Sequence, residues 1–146
     1  MTNEIARTKE WFELAIPTPT DKNRLVQLGV HFEEVSEMFT ALGAEPVATA
    51  LSDLATAFKS GVAQTGEAVT FGDLTIDRKE LLDALCDQIV TATGVAHMLG
   101  MDITTALVRV NDSNWSKFVD GKPVFDANGK IAKSVNYRKP DLEGLY

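Results

Sequence analysis

The sequence predicts an all-α protein: a helical bundle of about five helices, including long antiparallel acidic helices, with a small C-terminal β-hairpin and a tail. First, apolar residues recur at alternating three- and four-residue steps in the segments 25–42 and 80–99, a pattern typical of amphipathic helices. Second, Gly43 and Gly100, which suit the ends of helices, follow these segments. Both observations indicate that helices form the core of the fold.

Length and composition indicate one domain spanning residues 1–146. The chain has 146 residues, of which 45% are hydrophobic and 24% charged, ordinary values for a globular protein able to bury a core. The net charge of −7 argues against a nucleic-acid polymer as partner, because general nucleic-acid binders are usually basic. Several basic residues lie in the C-terminal segment, where they could supply cations to an acidic, metal-filled groove. They are Lys117, Lys122, Lys130, Lys133, Arg138 and Lys139.

Cysteine usage and the hydropathy pattern predict a cytoplasmic location. Cys86 is the only cysteine, so an internal disulfide is excluded. Its position within a helical pattern predicts a buried, unreactive thiol in a reducing compartment. The N-terminal residues lack an apolar signal core, and no apolar run has the length that a bilayer requires. We therefore expect no membrane partner.

Helix limits are predicted from capping residues and from glycine and proline stops. The five predicted helices run from Thr2 or Asn3 to about Glu13, from Thr20 or Asp21 to near Gly43, from Val47 to about Phe58, from Asp77 to near Gly100 and from Asp102 to about Ser116. Pro46 opens the third of them. Trp11, in the first helix, is expected in the core.

Two segments are predicted to be non-helical. Residues 60–76 contain three glycines and no sustained period, which indicates a loop with one short extended piece. Near the C-terminus, Val124–Phe125 and Ile131–Ala132 flank the sequence DANG, which predicts a hairpin with its tip at Asn128-Gly129.

The segment 25–42 carries three glutamates, Glu33, Glu34 and Glu37, on its predicted helix. Glu34 and Glu37 lie off the apolar stripe, and helical geometry places them on a face that also carries Val30. A face that mixes acids with apolar side chains suggests a lined site. The alternative is that the acidic row is simply a solvated helix face.

A second acidic row consists of Glu80, Asp83 and Asp87, at i, i+3 and i+7 of a later predicted helix. Asp77 and Glu80 also form a capping-box pattern, which offers Glu80 a structural role. Carboxylates that meet in a partly dry groove repel one another unless a cation neutralises them. Oxygen ligands favour a hard ion, so the two rows predict Mg²⁺, with Mn²⁺ as the alternative.

These residues carry a resemblance to a known superfamily. The E-E-x-x-E of Glu33, Glu34 and Glu37, followed by the E-x-x-D of Glu80 and Asp83, resembles the all-α nucleoside triphosphate pyrophosphohydrolases. That superfamily includes MazG-like proteins, dimeric dUTPases and phosphoribosyl-ATP pyrophosphohydrolases. Downstream, VNDSNWSKF, DGKPVFDANGKIAKS and a Y-x-x-P-D-L end look like the C-terminal part of MazG-related, phosphoribosyl-ATP pyrophosphohydrolase-like proteins.

The resemblance implies hydrolysis of a (deoxy)nucleoside triphosphate between the α- and β-phosphates, giving a monophosphate and pyrophosphate. It implies that Glu33 orients or deprotonates the attacking water. The implied Mg²⁺ ligands are Glu34, Glu37, Glu80 and Asp83. The implied substrate-binding residues are Asn111, Asn114 and Lys117, with Asp87 as a further ligand or supporting group.

Several alternatives stay open at the level of sequence. One is a true phosphoribosyl-ATP pyrophosphohydrolase, and another is a non-catalytic helical module that binds a nucleotide or a partner protein. The resemblance also implies a homo-oligomer, either dimer or tetramer. Apolar residues on more than one side of the long helices agree with that expectation.

Overall fold

A computed structural model describes residues 3–146, which form five α-helices and contain no β-strand. The helices are α1 (Glu4–Ala15), α2 (Asp21–Ala41), α3 (Glu45–Ser60), α4 (Arg78–Met98) and α5 (Ile103–Trp115). A short 3-10 turn, Phe71–Asp73, lies in the loop between α3 and α4. The predicted all-α class and the number of helices are confirmed.

Side-chain caps explain where the first two helices begin. The Asn3 side chain accepts a hydrogen bond from the Ala6 N–H at 3.1 Å, which satisfies a free donor in the first turn of α1. The alternative cap, Thr2, lies outside the described residues. Thr20 and Asn23 form a reciprocal capping box at the start of α2. Both helix starts agree with the capping pattern of the sequence.

The later helix limits follow the same rules. Pro46 lies in the first turn of α3, where its missing N–H costs nothing, so the helix begins at Glu45, two residues before its predicted start. Asp77 caps α4 by accepting from the N–H groups of Lys79 and Glu80. At α5, hydrogen bonds from Thr105 and Thr104 lower the pKa of the Asp102 carboxyl to about 2, which keeps this cap ionised.

Contacts divide the chain into two compact units. Unit 1 comprises the chain up to Pro17, Ile76–Val124 and Ala132–Tyr146. Unit 2 comprises Thr18–Thr75 and Phe125–Ile131. Helices α1, α4 and α5 therefore belong to unit 1, and α2 and α3 belong to unit 2.

Aromatic packing between α1 and the end of α5 forms the core of unit 1. Trp11 is 7% exposed, which confirms its predicted burial, and its ring stacks on Phe118 with centroids 5.7 Å apart. Its indole N–H donates to the Asn114 carbonyl at 3.0 Å. Trp115 packs edge-on against the same Phe118 ring. Because an aromatic pair stabilises beyond its buried area, this cluster holds α1 against α5.

Helix α4 keeps most of its apolar side chains exposed, although its sequence predicts a buried stripe. In this helix, all of whose residues are described, Ala96 alone is buried, while Leu82 is 64% and Val90 67% exposed. Cys86 is exposed too, so the prediction of a buried thiol is wrong, because the surrounding helix is not covered. None of the helices within residues 3–146 combines the length and apolar character needed to cross a bilayer.

A close approach between α2 and α3 forms the core of unit 2. A Cβ added at Gly29 would lie 2.8 Å from the Ala55 carbonyl oxygen and 2.8 Å from the Lys59 Cγ, so only glycine fits there. Further along, the buried Ser36 hydroxyl donates to the Ala48 carbonyl at 2.7 Å. Both contacts bring the two helix backbones close together, as small residues at a helix interface allow.

The predicted C-terminal β-hairpin does not form. The chain turns as expected near Gly129, which has φ of +82°. Phe125 and Ile131 make one isolated antiparallel bridge, and within residues 3–146 this bridge is not extended into strands. Pro123 lacks the N–H that a longer ladder would use on one arm. A two-stranded hairpin this short is also only marginally stable.

We predict opposite effects for alanine at two helical glycines. Gly29→Ala should lower the free energy of unfolding by about 1–2 kcal/mol, because overpacking against a fixed carbonyl outweighs the gain in helix propensity. Gly94→Ala, in α4, should raise it by about 0.5–1 kcal/mol. At Gly94 a Cβ meets no described atom within 4 Å apart from its own helix backbone. Urea unfolding followed by circular dichroism measures both, and equal effects would contradict the close approach.

Candidate functional site

Glu33, the predicted water-activating residue, lies in a double ion pair within unit 2. Its Oε1 accepts from the Lys59 ammonium at 2.7 Å, and its Oε2 accepts from the Lys130 ammonium at 2.7 Å. Lys59 is at the end of α3, and Lys130 follows the turn at Gly129. One carboxylate on α2 therefore binds both its partner helix and the 125–131 segment.

Two opposing effects act on the pKa of Glu33. Partial burial raises this pKa, but hydrogen bonds and charge attraction from Lys130 and Lys59 outweigh burial, so the net pKa lies below the ordinary 4.5. The carboxylate is consequently ionised at neutral pH. A lowered pKa also weakens the carboxylate as a proton acceptor, because a general base works best with a pKa near the operating pH.

The other two acids of the first row, Glu34 and Glu37, are exposed on α2. They lie one turn apart, at a spacing that puts both on the same side of the helix. Oxygen ligands in this arrangement suit a hard divalent cation.

The second row, Glu80, Asp83 and Asp87, is exposed on α4 of unit 1. Glu80 approaches the Lys79 ammonium only at 4.0 Å, and both side chains are open to solvent, so this pair has little strength. The Glu80 N–H is bound by Asp77, but the reciprocal bond of a capping box is absent from this described helix start. The Glu80 carboxylate is therefore not committed to the cap.

Among the predicted substrate-binding residues, Asn111 is used for packing. It is 2% exposed; its Oδ1 accepts from the Thr8 hydroxyl at 2.9 Å, and its Nδ2 donates to the Glu4 carboxylate at 2.8 Å. These bonds join α5 to α1. Leaving a buried amide without hydrogen bonds costs free energy, so the bonds of Asn111 stabilise the interface between α1 and α5.

Asn114 and Lys117 lie beside the same aromatic core. The Asn114 backbone carbonyl accepts from the Trp11 indole. The Lys117 ammonium lies 5.9 Å from the centroid of the Trp11 ring, a favourable cation–π distance. The two residues are therefore close to each other in unit 1, at the end of α5.

The predicted metal ligands are divided between the two units. Within residues 3–146, no three histidine, cysteine or acidic side chains come together in a group that could hold a metal ion. Glu34 and Glu37 are in unit 2, whereas Glu80 and Asp83 are in unit 1. Each unit thus offers an acidic row of the right chemistry but with too few ligands for a protein cage.

Comparisons with known proteins add no relative to this picture. No protein-family model, curated protein or solved structure matches the chain. The family, the cytoplasmic location and the exclusion of a nucleic-acid partner therefore stay predictions.

The sequence does not indicate Lys59 and Lys130 as partners of Glu33. Lys130 is noticeable only as one member of a basic C-terminal segment, and Lys59 comes directly after the predicted third helix, which ends at about Phe58. Their partner on α2 is 26 and 97 residues away in the chain, so no local pattern links them.

We predict that the double ion pair stabilises the protein in a pH-dependent way. Glu33→Gln should lower the free energy of unfolding by about 1 kcal/mol at pH 7, since two partly exposed pairs are weakened. Because folding lowers the pKa of Glu33, its contribution is complete above the ordinary pKa of 4.5 and is lost as pH falls through the folded value. The difference in the free energy of unfolding between wild type and Glu33→Gln should therefore become steadily smaller below pH 4.5.

Urea unfolding from pH 7 downward, in EDTA, measures this gap. Glu37→Gln is the matched control, because Glu37 is an exposed glutamate on the same helix. The free energy of unfolding of Glu37→Gln should stay within about 0.5 kcal/mol of the wild-type value at each pH. A gap for Glu33→Gln that equals the control, or that widens as pH falls, would contradict the ion-pair role.

Proposed function

We propose that the protein is a Mg²⁺-dependent (d)NTP pyrophosphohydrolase. Water would add to the α-phosphorus, the bond between that phosphorus and the bridging oxygen would break, and pyrophosphate would leave, so that a nucleoside monophosphate remains. The observation that carries the proposal is the presence of two exposed acidic rows on 21-residue helices. The rows are Glu34 with Glu37, and Glu80 with Asp83 and Asp87.

The donor chemistry of the rows supports a hard cation. All the proposed ligands, Glu34, Glu37, Glu80 and Asp83, are carboxylates, which Mg²⁺ prefers. When bound, Mg²⁺ offsets the negative charge of the phosphate oxygens and acidifies a water molecule. Asp87, one turn beyond Asp83, is proposed as a supporting group.

For Glu33 we propose that it orients the attacking water. The low pKa that Lys59 and Lys130 impose favours accepting a hydrogen bond over removing a proton. Each carboxylate oxygen already bound to a lysine still has a lone pair available. Lys59 and Lys130 would keep the carboxylate in one orientation.

At the end of α5 we propose Lys117 as the residue that contacts substrate phosphate, with Asn114 beside it. A lysine ammonium is a compact charge with three donors, suited to phosphate oxygens. Asn111 would act through its position, since its amide is bound to α1. Both proposals rest on the likeness of the VNDSNWSKF segment to MazG-related proteins.

A second candidate function is a non-catalytic module that binds a nucleotide or a partner protein. The lack of a three-ligand group among residues 3–146 favours this alternative. Phosphoribosyl-ATP hydrolysis is the alternative substrate choice for the enzyme. The three hypotheses differ in what they predict for pyrophosphate release.

We predict that the protein with Mg²⁺ releases pyrophosphate from at least one ribo- or deoxyribonucleoside triphosphate, and that EDTA abolishes the reaction. A coupled pyrophosphate assay over a nucleotide panel that includes phosphoribosyl-ATP measures this. Turnover restricted to phosphoribosyl-ATP would favour the alternative substrate. Metal or nucleotide binding with no turnover across the panel would favour the non-catalytic module.

Variants of the acidic residues separate their roles in the same assay. Glu33→Gln should lower turnover by about 10–10²-fold with Mg²⁺ affinity retained, because the attacking water loses a charged hydrogen-bond acceptor. Glu37→Gln and Asp83→Asn should instead weaken Mg²⁺ binding and be partly rescued by excess ion. Glu10→Gln, at an exposed glutamate of α1, is the control and should behave as wild type. Equal loss of metal affinity in Glu33→Gln would make Glu33 a ligand, and wild-type turnover would remove it from the mechanism.

We further propose a homo-oligomer in which a second copy of the chain covers α4. An isolated helix in water is marginal, and most helices in proteins are stabilised by packing of their apolar face. Residues 81–93 of α4 are nevertheless exposed throughout, including Leu82, Ile89 and Val90. A second copy would bury these side chains and supply the missing packing.

Light scattering at micromolar concentration should give at least a dimer mass. Ile89→Gln combined with Val90→Gln should shift the protein toward the monomer, because the apolar contact is lost while helix propensity is kept. Thr91→Gln, at an exposed polar position of the same helix, should leave the mass unchanged. A monomeric wild type with full activity would exclude the oligomer.

A further inference from the structure

Unit 1 contains an open cavity of about 580 Å³. The residues that line it belong to neither acidic row. Its lining brings together four basic side chains: Arg7 from α1, Arg109 from α5, and Arg138 and Lys139 from the C-terminal segment. Asp112 and Asp141 are the acidic residues of the lining, and Trp115 contributes an aromatic wall. The charges of these residues sum to two positive, in a chain whose net charge is −7.

The positive charges in the cavity are only partly neutralised. The Arg7 guanidinium donates to the Asp112 carboxylate at 2.5 Å and contacts Glu4 at 3.4 Å. Arg109 instead donates to the Asp141 backbone carbonyl at 2.8 Å, which leaves its full charge in place. Among residues 3–146, neither Arg138 nor Lys139 forms an ion pair with a carboxylate, so Arg7 is the one ion-paired cation of the four.

The side of the cavity that carries Arg138 and Lys139 is anchored to α5. The Arg138 N–H donates to the Ser116 hydroxyl at 2.8 Å, and this buried hydroxyl itself donates to the Ser113 carbonyl at 2.7 Å. The Arg109–Asp141 bond attaches the following residues to the same helix. The backbone that carries Arg138 and Lys139 is therefore held against the end of α5, so binding a ligand has to order only their side chains, which lowers the entropy cost of binding.

We propose that this cavity binds an anion with at least two phosphoryl groups, either free pyrophosphate or the polyphosphate chain of a nucleotide. Guanidinium groups present paired donors that match phosphate oxygens, and a lysine ammonium adds a further charge. The volume lies within the range of about 300–1,000 Å³ typical of small-molecule sites. The proposal does not rest on pyrophosphohydrolase activity, because it involves no acidic-row residue and no metal ion.

Isothermal titration calorimetry in EDTA tests the proposal with pyrophosphate, ATP and inorganic phosphate as separate ligands. Pyrophosphate and ATP should bind at least about tenfold more tightly than phosphate, because they reach more cations. Added salt should weaken binding. Arg138→Gln combined with Lys139→Gln should lower pyrophosphate affinity at least about tenfold, since charge-assisted hydrogen bonds are lost while the backbone bond of Arg138 is kept.

The matched control is Arg78→Gln combined with Lys122→Gln, which also removes one arginine and one lysine. Both side chains belong to exposed residues of unit 1 that do not line the cavity. This variant should bind pyrophosphate with an affinity within about threefold of wild type. It loses the same net charge as the cavity variant, but at positions outside the cavity. If ATP and pyrophosphate bind with equal affinity, the site recognises only the phosphate groups. If ATP binds more tightly than pyrophosphate, the site also contacts the nucleoside.

Two results would overturn the proposal. One is an absence of binding by wild type at millimolar pyrophosphate and ATP, and the other is an equal loss of affinity in the two double variants. Neither result depends on turnover, because EDTA removes Mg²⁺. Failure of the proposed hydrolysis, by contrast, would appear only in the pyrophosphate-release assay.

Discussion

The contact between α2 and α3 at Gly29 sets the arrangement of unit 2. Because this residue has no side chain, the Lys59 stem can lie against α2 where a Cβ would otherwise meet it at 2.8 Å. One turn further along α2, Glu33 receives the ammonium of the same lysine at 2.7 Å. The second carboxylate oxygen then binds Lys130 and attaches the 125–131 segment. A single small residue thus permits a chain of contacts that ends at the residue predicted to position water.

Local sequence patterns predicted the helices because the forces that define helix ends act within a few residues. Asn3, Thr20, Asp77 and Asp102 all cap the helices that follow them, as their side-chain chemistry indicates. The β-hairpin prediction was wrong because a turn signal at Gly129 specifies a reversal of the chain but not the ladder that must stabilise it. A ladder depends on neighbouring strands, which the local pattern does not report.

The two groups of charged residues differ in how far sequence could predict them. Each acidic row lies within one helix, so the spacing of Glu80, Asp83 and Asp87 was sufficient to recognise it. The basic cavity combines residues near both ends of the chain, such as Arg7 and Arg138, with a helix between them. The basic C-terminal segment is recognisable in the sequence, but its contact with α1 and α5 is non-local and appears only in the fold.

Helix α4 carries two unfavourable features that a ligand and a partner would relieve together. Most of its apolar residues are exposed, and its acidic row places like charges at neighbouring positions, which destabilises an isolated helix. Under the proposed function, a bound cation would offset the charge repulsion, while a second copy would cover Ile89 and Val90. Both events stabilise the same helical state, so by thermodynamic linkage each would strengthen the other. The Mg²⁺ affinity of the monomer would therefore be lower than the Mg²⁺ affinity of the homo-oligomer.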